Sequence, residues 1–441
     1  MDEDRTRPRR VGGLPVKSLR VTVVEGPNVG LESAAHEDVL TVGTAEGNDL
    51  RVDDPTASRF HLELRRRGAR IVVRDVGSTN GTSIGAALLH DSEATVSPGT
   101  VVRLGDTALR IDDGDVVMVE ASGPDQVGEL LGRSPAMRRL FANVARVAKG
   151  TSPVLLVGES GTGKELIARA IHALWDKARP FATVDCAATV PNLFASELFG
   201  HERGAFTGAE QRREGAFAEA DGGMIFLDEI GELPVEIQST LLGVLERKRF
   251  RRLGARADQA VDVRVTSATN RDLRAEVNTG RFRLDLYFRL AVVTLQVPPL
   301  RERREDIPLL VEHFLREAGF DGPVSSVFPD EAMGRLAEHS WPGNVRELRN
   351  VVESMLVMGT SPLEADGNAN TPATVSGDEP FTALYGLSYK DARRTLLDRF
   401  ERDYLKALLA RAGGNIRQAA RVAQMDRSYL MKLLKVHDTG N

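Results

Sequence analysis

Residues 153–165 read PVLLVGESGTGKE, an apolar run that passes into a glycine-rich turn and then into the helix-forming stretch KELIARAIHALW. A strand feeding a helix through such a turn constrains the surrounding chain to a parallel sheet covered by helices. In that context Gly158, Glu159, Ser160, Gly161, Thr162, Gly163, Lys164 and Glu165 form a phosphate loop. The glycines let backbone N–H groups converge on an anion at a helix N-terminus, and Lys164 is placed to meet the β- and γ-phosphates of a nucleotide. The competing reading is an ordinary glycine-rich turn. One position departs from the usual pattern, because Glu165 stands where a hydroxyl normally follows the lysine.

The rest of the central region agrees with this frame. Between about Leu130 and Arg301, the apolar runs FATVDC, MIFLDEI and VRVTSATN alternate with helical stretches such as PVEIQSTLLGVLERK. MIFLDEI ends in two carboxylates, which suits metal chemistry at the carboxyl end of a parallel strand. Asp228 is assigned to Mg2+ and Glu229 to orienting or deprotonating the attacking water, with ATP as the nucleotide. From Arg303 to about Gly359 only helical periodicity remains, which suggests a helical lid.

The flanks are different. From about Val16 to Asp113, short β-branched runs separated by Gly, Asp and Asn read as an all-β sandwich or barrel. The stretch Ser361 to Pro380 holds four acids and no base, is poor in aliphatic residues, and reads as a flexible linker. Beyond it, Ser388 to Asn441 carries twelve Lys and Arg against six Asp and Glu, although the whole chain is at −5. That basic end has an electrostatic reason to meet DNA. Cys186 is the one cysteine, so a disulfide framework and a thiolate zinc site are excluded and a reducing cytoplasm is favoured. No apolar stretch approaches the roughly 20 residues of a membrane span, and the polar opening MDEDRTRPRRVGG lacks the apolar core of a secretory signal. The expected organisation is a disordered tail at 1–15, the sandwich at 16–114, a connector at 115–129, the α/β part at 130–301, its lid at 302–360, a linker at 361–387 and a helical end at 388–441.

Three resemblances sharpen this reading. The segment from about Leu130 to Gly359 resembles the AAA+ domain of sigma-54-dependent activators, most specifically through GAFTGA, Gly204, Ala205, Phe206, Thr207, Gly208 and Ala209, within SELFGHERGAFTGAE. The resemblance implies that this loop contacts sigma-54, with Phe206 and Thr207 at its tip; a Phe and a Thr between glycines otherwise make a surface turn. It also implies a polar sensor at Thr269 and Asn270 and a lid arginine at Arg346 that senses the γ-phosphate. Arg283 and Arg289 become arginines that reach a neighbouring subunit's site, which needs a homo-oligomer, from dimer to hexamer; the alternative for both is a surface ion pair. Asp185 stands where the family commonly has asparagine, and an ionised Asp cannot donate a hydrogen bond to Glu229. The basic run Arg247 to Arg252 reads as a solvated hairpin facing the pore or a neighbour rather than a DNA patch.

AGGNIRQAARVAQMDRSYLMKLLK resembles the Fis-type helix-turn-helix. Asn415 and Asp426 are N-cap residues, and Arg427, Ser428, Tyr429 and Lys432 on the second helix are placed for base edges and phosphates. The alternative is a small dimerisation bundle. VGTAEGNDLRVDDPTASRFHLEL with VRDVGSTNGTSI resembles a forkhead-associated domain. The resemblance implies a phosphothreonine-peptide site in which Ser58 meets the phosphate, Asn80 with Thr79 holds the peptide backbone and His61 braces the loop. The family's arginine after the first glycine is here Thr44, so a charge-assisted bond worth roughly 1.5–3 kcal/mol is missing unless Arg51 or Arg59 supplies it. A degenerate protein-contact module is the other reading.

Together these imply a cytoplasmic ATPase that remodels sigma-54 RNA polymerase from upstream DNA and answers to a Ser/Thr-phosphorylated protein or kinase. A non-hydrolysing repressor that keeps the fold only for assembly, and a different AAA+ remodeller, are the alternatives.

Overall fold

The computed structural model describes residues 13–35, 39–67, 70–120, 124–187, 191–207 and 209–358, together with Leu405 and Leu408. The expected disordered tail up to residue 12, the acidic linker and Arg427, Ser428, Tyr429 and Lys432 of the helix-turn-helix lie outside the described residues. The chain divides into two compact units, Met1–Leu363 and Glu364–Asn441.

In the first unit the N-terminal part is a β-sandwich. Strands Glu32–Ala35, Gly13–Glu25, Thr107–Glu120, Thr100–Leu104, Thr82–Ile84 and Ala87–Leu89 form one sheet in that order. Strands Leu50–Arg51, Val39–Gly43, Leu62–Arg67, Arg70–Asp75 and Glu93–Val96 form the other. Alternation places Leu19, Val21, Val23, Leu109 and Ile111 of one sheet against Leu40, Val42, Leu64, Ile71 and Val73 of the other in a single apolar core. The long strands Gly13–Glu25 and Thr107–Glu120 stay paired out to Gly13 and Glu120, so the ladder runs beyond the expected domain edge at residue 114 and into the expected connector. The run DVVMVE has nothing in it to stop a strand.

The central part is a parallel sheet ordered Phe181–Asp185, Met224–Asp228, Arg264–Thr269, Val154–Val157, Val293–Gln296. Met224, Ile225, Phe226 and Leu227 are all buried, as a strand covered on both faces requires. The helices around and after it are α1 (Pro135–Ala148), α2 (Lys164–Asp176), α3 (Pro191–Phe199), α4 (Ala216–Glu219), α5 (Val235–Arg247), α6 (Leu273–Asn278) and α7 (Leu284–Leu290). Ser134 caps α1 by accepting from the Met137 N–H, and Asp272 caps α6 by accepting from Arg274 and Ala275. The lid is α8 (Ile307–Glu317), α9 (Asp330–Glu338) and α10 (Asn344–Met358), packed about Trp341, Leu310, Val311, Leu348 and Val352. Ala45, Phe60 and Val76 of the sandwich belong to the apolar cluster of the central domain, so the two parts share a core.

Candidate functional site

The phosphate loop lies between Val157 and the first residue of α2, Lys164. Gly161 and Gly163 have φ of +76° and +100°, which glycine adopts without strain. A Cβ at Gly161 would lie 2.3 Å from the Gly343 carbonyl oxygen, so the lid loop leaves room for glycine alone. Lys164 Nζ donates to the carbonyls of Gly158 (2.9 Å) and Glu159 (3.3 Å) and sits 3.4 Å from Glu229 Oε1. The lysine is buried, and carbonyl and carboxylate oxygens surround it where phosphate oxygens are expected to bind. Glu165 is not part of this cluster. It is exposed on α2 and bonded to Arg169 at 2.7 Å, one turn on, which explains how the chain accommodates a carboxylate at that position.

Asp228 ends the strand Met224–Asp228, which the strand Arg264–Thr269 separates from Val154–Val157, and Glu229 follows it. Glu229 has φ 47° and ψ 47°, a left-handed conformation that costs a non-glycine residue about 1–2 kcal/mol. It turns the carboxylate so that Oε1 faces Lys164 and Oε2 accepts from the Asn270 backbone N–H at 3.0 Å. Burial, reinforced by the Glu229 charge, pushes the Asp228 carboxyl above its usual range, although the Glu229 N–H and Lys164 oppose the shift. Asp185 is in register with Asp228, and its Oδ1 accepts from Ala187 N–H at 2.9 Å. The donor to Glu229 is therefore a backbone amide of the Thr269–Asn270 turn. Thr269 is fully buried, and its hydroxyl accepts from the Arg271 N–H. Cys186 is buried beneath these acids, and burial raises its thiol pKa well above the ordinary value.

The lid closes over the loop through the expected Arg346 and through Arg301, Arg303 and Asn344, which carried no signal in the sequence. Arg301 grips Glu159 with two bonds, 2.6 and 2.8 Å, and this holds the Glu159 carboxyl below its ordinary range. Asn344 donates to Glu159 Oε2 and the Ser160 carbonyl, Val345 N–H to the Gly161 carbonyl, and Arg346 to Ser160 Oγ at 3.1 Å. Trp341 and Asn344 both have positive φ, 52° and 53°, at this junction. Arg303, buried, donates to the Thr162 carbonyl at 3.0 Å; burial pushes its pKa down to about 10 against the pull of Asp306. Arginines next to helix starts are common, and only folding over a separation of more than 140 residues brings these to the loop.

Arg283 immediately precedes α7, and Arg289 lies in its last turn. Each is occupied within its own chain, Arg283 by Asp285 (3.1 and 2.7 Å) and Arg289 by the Leu245 carbonyl (2.9 Å). The GAFTGA segment is a turn between two short paired strands, Gly200–His201 and Arg213–Glu214. Gly204 N–H bonds the Ala209 carbonyl, Phe206 meets the His201 ring edge-on at 5.0 Å, and Thr207 is exposed; Gly208 is outside the described residues. Arg252 bridges Glu202 and Glu214 at the base of this turn. Its neighbours in the basic run pair off: Lys248 with Asp262 and Arg251 with Asp258, in a hairpin whose strands are Arg249–Phe250 and Gln259–Ala260.

At the rim of the sandwich, Ser58 Oγ accepts from the Thr79 N–H at 3.0 Å and Asn80 donates to the Thr56 carbonyl at 2.8 Å. His61 is buried; its Nδ1 accepts from the Ser58 N–H, which leaves Nε2 to donate to the Gly81 carbonyl. Thr44 lies beside this group through its N–H to the Ser58 carbonyl. Of the two candidate cations, Arg51 is shared between Glu46 and Asp53, each at 3.7 Å. Arg59 is exposed, and its guanidinium has no partner among the described residues.

Comparison with known proteins agrees with this layout. A family model for the sigma-54 interaction domain matches residues 130–296, one for the AAA+ ATPase lid domain matches 301–365, and one for the Fis family of bacterial regulatory proteins matches 396–435. Residues 22–115 match a model described as the cytoplasmic domain of an inner membrane component of a type III secretion system. The transcriptional regulatory protein ZraR of Klebsiella oxytoca is 46% identical over 307 residues, covering 69% of this chain and 68% of its own. The structure of NtrX from Brucella abortus in complex with ADP is 37% identical, covers 70% of each chain and superposes with a TM-score of 0.50. A forkhead-associated domain solved in a study of phosphothreonine-dependent interactions is 27% identical over 22% of this chain and 95% of its own, with a TM-score of 0.20. No helix among the described residues is long and apolar enough to cross a membrane. The chain belongs to the sigma-54-dependent transcriptional activators, with an AAA+ ATPase domain, its lid and a Fis-type DNA-binding end behind an N-terminal β-sandwich.

Proposed function

We propose that this activator hydrolyses ATP between subunits of a ring and uses the cycle to press its GAFTGA turn on sigma-54. The observation that carries the reading is the convergence of Lys164, Asp228 and Glu229 at the head of the sheet under a lid that contributes Arg346. Lys164 leaves the carbonyls of Gly158 and Glu159 for the β- and γ-phosphates. Asp228 suits a divalent cation, because a half-buried carboxylate raised by burial and by a neighbouring charge is stabilised by an added positive ion. Mg2+ bound there would neutralise developing phosphate charge. Glu229, released when Lys164 turns to phosphate, orients the attacking water. Arg283 and Arg289 of one subunit exchange their intrachain partners for the neighbour's γ-phosphoryl oxygens. Phe206 and Thr207 form the contact with sigma-54, and Arg427, Ser428, Tyr429 and Lys432 anchor the assembly on upstream DNA.

The sandwich is the sensory part. Its rim takes a phosphothreonine peptide, with Ser58 on the phosphate, Thr79 and Asn80 on the backbone and Arg59 as the cation that Thr44 does not provide. Arg59 is favoured over Arg51 because it is exposed beside Ser58 with no acidic partner among the described residues.

The test is ATP turnover and capture of sigma-54 in the presence of a transition-state analogue, with wild type, Lys164→Ala and Thr207→Ala. Turnover should vanish in the first variant, and capture alone should vanish in the second. An assembled wild-type protein that captures no sigma-54 in any nucleotide state defeats the reading.

A further inference from the structure

Three loops form the peptide rim: the one holding Thr44, the one holding Ser58 and Arg59, and the one holding Thr79 and Asn80. The same three touch the ATPase domain. In the first, Gly47 lies against the Phe288 ring so closely that a Cβ there would come within 2.7 Å. In the second, Phe60 is 1% exposed and stacks edge-on against Tyr287 at 5.2 Å. In the third, Asn278 of α6 donates to the Val76 carbonyl at 2.9 Å. The same Asn278 amide donates to the Phe60 carbonyl at 2.6 Å and accepts from the Phe60 N–H at 3.3 Å, so one side chain closes the exposed backbone of the Ser58–His61 segment. Two ion pairs frame the contact, Arg274 with Glu63 at 3.2 Å and Arg74 with Asp272 at 3.0 Å. Burial works against the Arg274 charge, but the Tyr287 hydroxyl and Glu63 hold it above its ordinary range. Pairing, aromatic packing and hydrogen bonds thus agree on one docked arrangement.

The helix that receives Phe60 is α7, and its Tyr287 and Phe288 lie in sequence between Arg283 and Arg289. With the sandwich docked, both arginines are held inside their own chain. We infer that the sandwich restrains the ATPase by clasping α6 and α7 through the inner sides of its own peptide loops, and that a phosphothreonine peptide captured at Ser58 and Arg59 undoes the clasp. The release half rests on the peptide reading above; the clasp does not. Ser58 and Arg59 are two residues and one residue from Phe60, and the backbone between them is already fixed on both sides by His61 and Asn278. A peptide that pulls this segment outward therefore moves Phe60. A ligand shifts such an equilibrium only through a difference in affinity for the two states, and a segment shared by both contacts supplies one.

The full chain tests it. Gly77 and Ala275 face each other across the contact, with a Cβ at Gly77 falling 3.8 Å from that of Ala275. The separation suits a disulfide in Gly77→Cys/Ala275→Cys, although the +59° φ at Gly77 adds some strain. Oxidised, this variant should fail to assemble by sedimentation with an ATP analogue and should lose most ATP turnover; dithiothreitol should restore both. Independently, Arg274→Glu should move the assembly midpoint to about fivefold lower protein concentration, and Glu63→Arg/Arg274→Glu should return it. A locked protein that assembles and turns over ATP like the reduced one overturns the clasp. So does an Arg274→Glu midpoint that does not fall, or one that the double variant leaves lowered. The probe for release is a degenerate phosphothreonine peptide pool with its unphosphorylated counterpart, which should raise turnover in the reduced protein and not in the locked one. If the pool binds and locked and reduced proteins still assemble alike, the clasp fails while the peptide reading stands. If the lock inhibits but the pool never binds, the peptide reading and the release half fail together.

Discussion

The nucleotide loop and the sandwich rim are both built for anions, yet they meet that task in opposite ways. At the loop, the cations are already engaged: Lys164 on Gly158, Glu159 and Glu229, Arg301 on Glu159, and Arg346 on the Ser160 hydroxyl. At the rim, Ser58, Thr79 and Asn80 are positioned by backbone bonds while Arg59 stands exposed. The first site must exchange partners to bind, which couples occupancy to movement of the lid and of Glu229. The second is preorganised and loses little on binding. A machine that turns over needs the first property, and a detector benefits from the second.

The comparison breaks most visibly at the subunit boundary. Arg283→Ala should lower ATP turnover by about a thousandfold, the lower end of what an arginine acting on a phosphoryl group supplies. Arg283 has an exposed side chain whose guanidinium pairs with the nearby Asp285, so folding and nucleotide binding should survive its removal. Steady-state turnover measured beside nucleotide affinity separates the two effects, and an equal loss in both would place Arg283 in ordinary ground-state binding.

At the rim the effect is smaller. Arg59→Ala should weaken a phosphothreonine peptide by roughly ten- to a hundredfold, the loss of one charge-assisted bond of about 1.5–3 kcal/mol. Arg51→Ala should change affinity little, because Glu46 and Asp53 already share its charge. Calorimetric titration of both variants decides it; the reverse ranking would move the cation to Arg51.

How much of the molecule was legible in the sequence depends on the range over which each signal acts. The phosphate loop, the acidic strand end and GAFTGA are contiguous, and the alternation of strand and helix around them is local, so their order along the chain was readable. Glu165 shows the limit: its motif position implied a role at the nucleotide, whereas the i,i+4 partner Arg169 takes it elsewhere. Arg301, Arg303 and Asn344 reach the loop across more than 140 residues, and no periodicity encodes such a pairing. Asn278, the last residue of α6, belongs to no sequence motif, yet it binds the sandwich 218 residues away. Likewise the strand Thr107–Glu120 passes the expected edge of the sandwich because its partner, Gly13–Glu25, continues alongside it.

The smallest effect concerns what keeps the rim preorganised. His61 is fully buried, and burial depresses its pKa below the ordinary 6.5 despite the bond to Gly81 and the nearby Asp75 charge. Its neutral tautomer is needed, because Nδ1 must accept from Ser58 N–H. The unfolded chain therefore binds a proton at His61 before the folded one does, so stability rises with pH across this window. The contribution is complete above the unfolded value of 6.5 and is lost as pH falls from there toward the depressed folded value. Asp75 has the other sign of group with the same outcome. Burial raises its pKa, but bonds from Ser78, Thr82 and Asp91 more than offset that, so its contribution is present above 3.8 and lost below it. A ring-carbon NMR titration should place the His61 midpoint below that of an ordinary histidine, and Tm of the sandwich transition should begin to fall below about pH 6.5. A His61 that titrates at 6.5 would mean that the Ser58 loop is braced by something other than this ring.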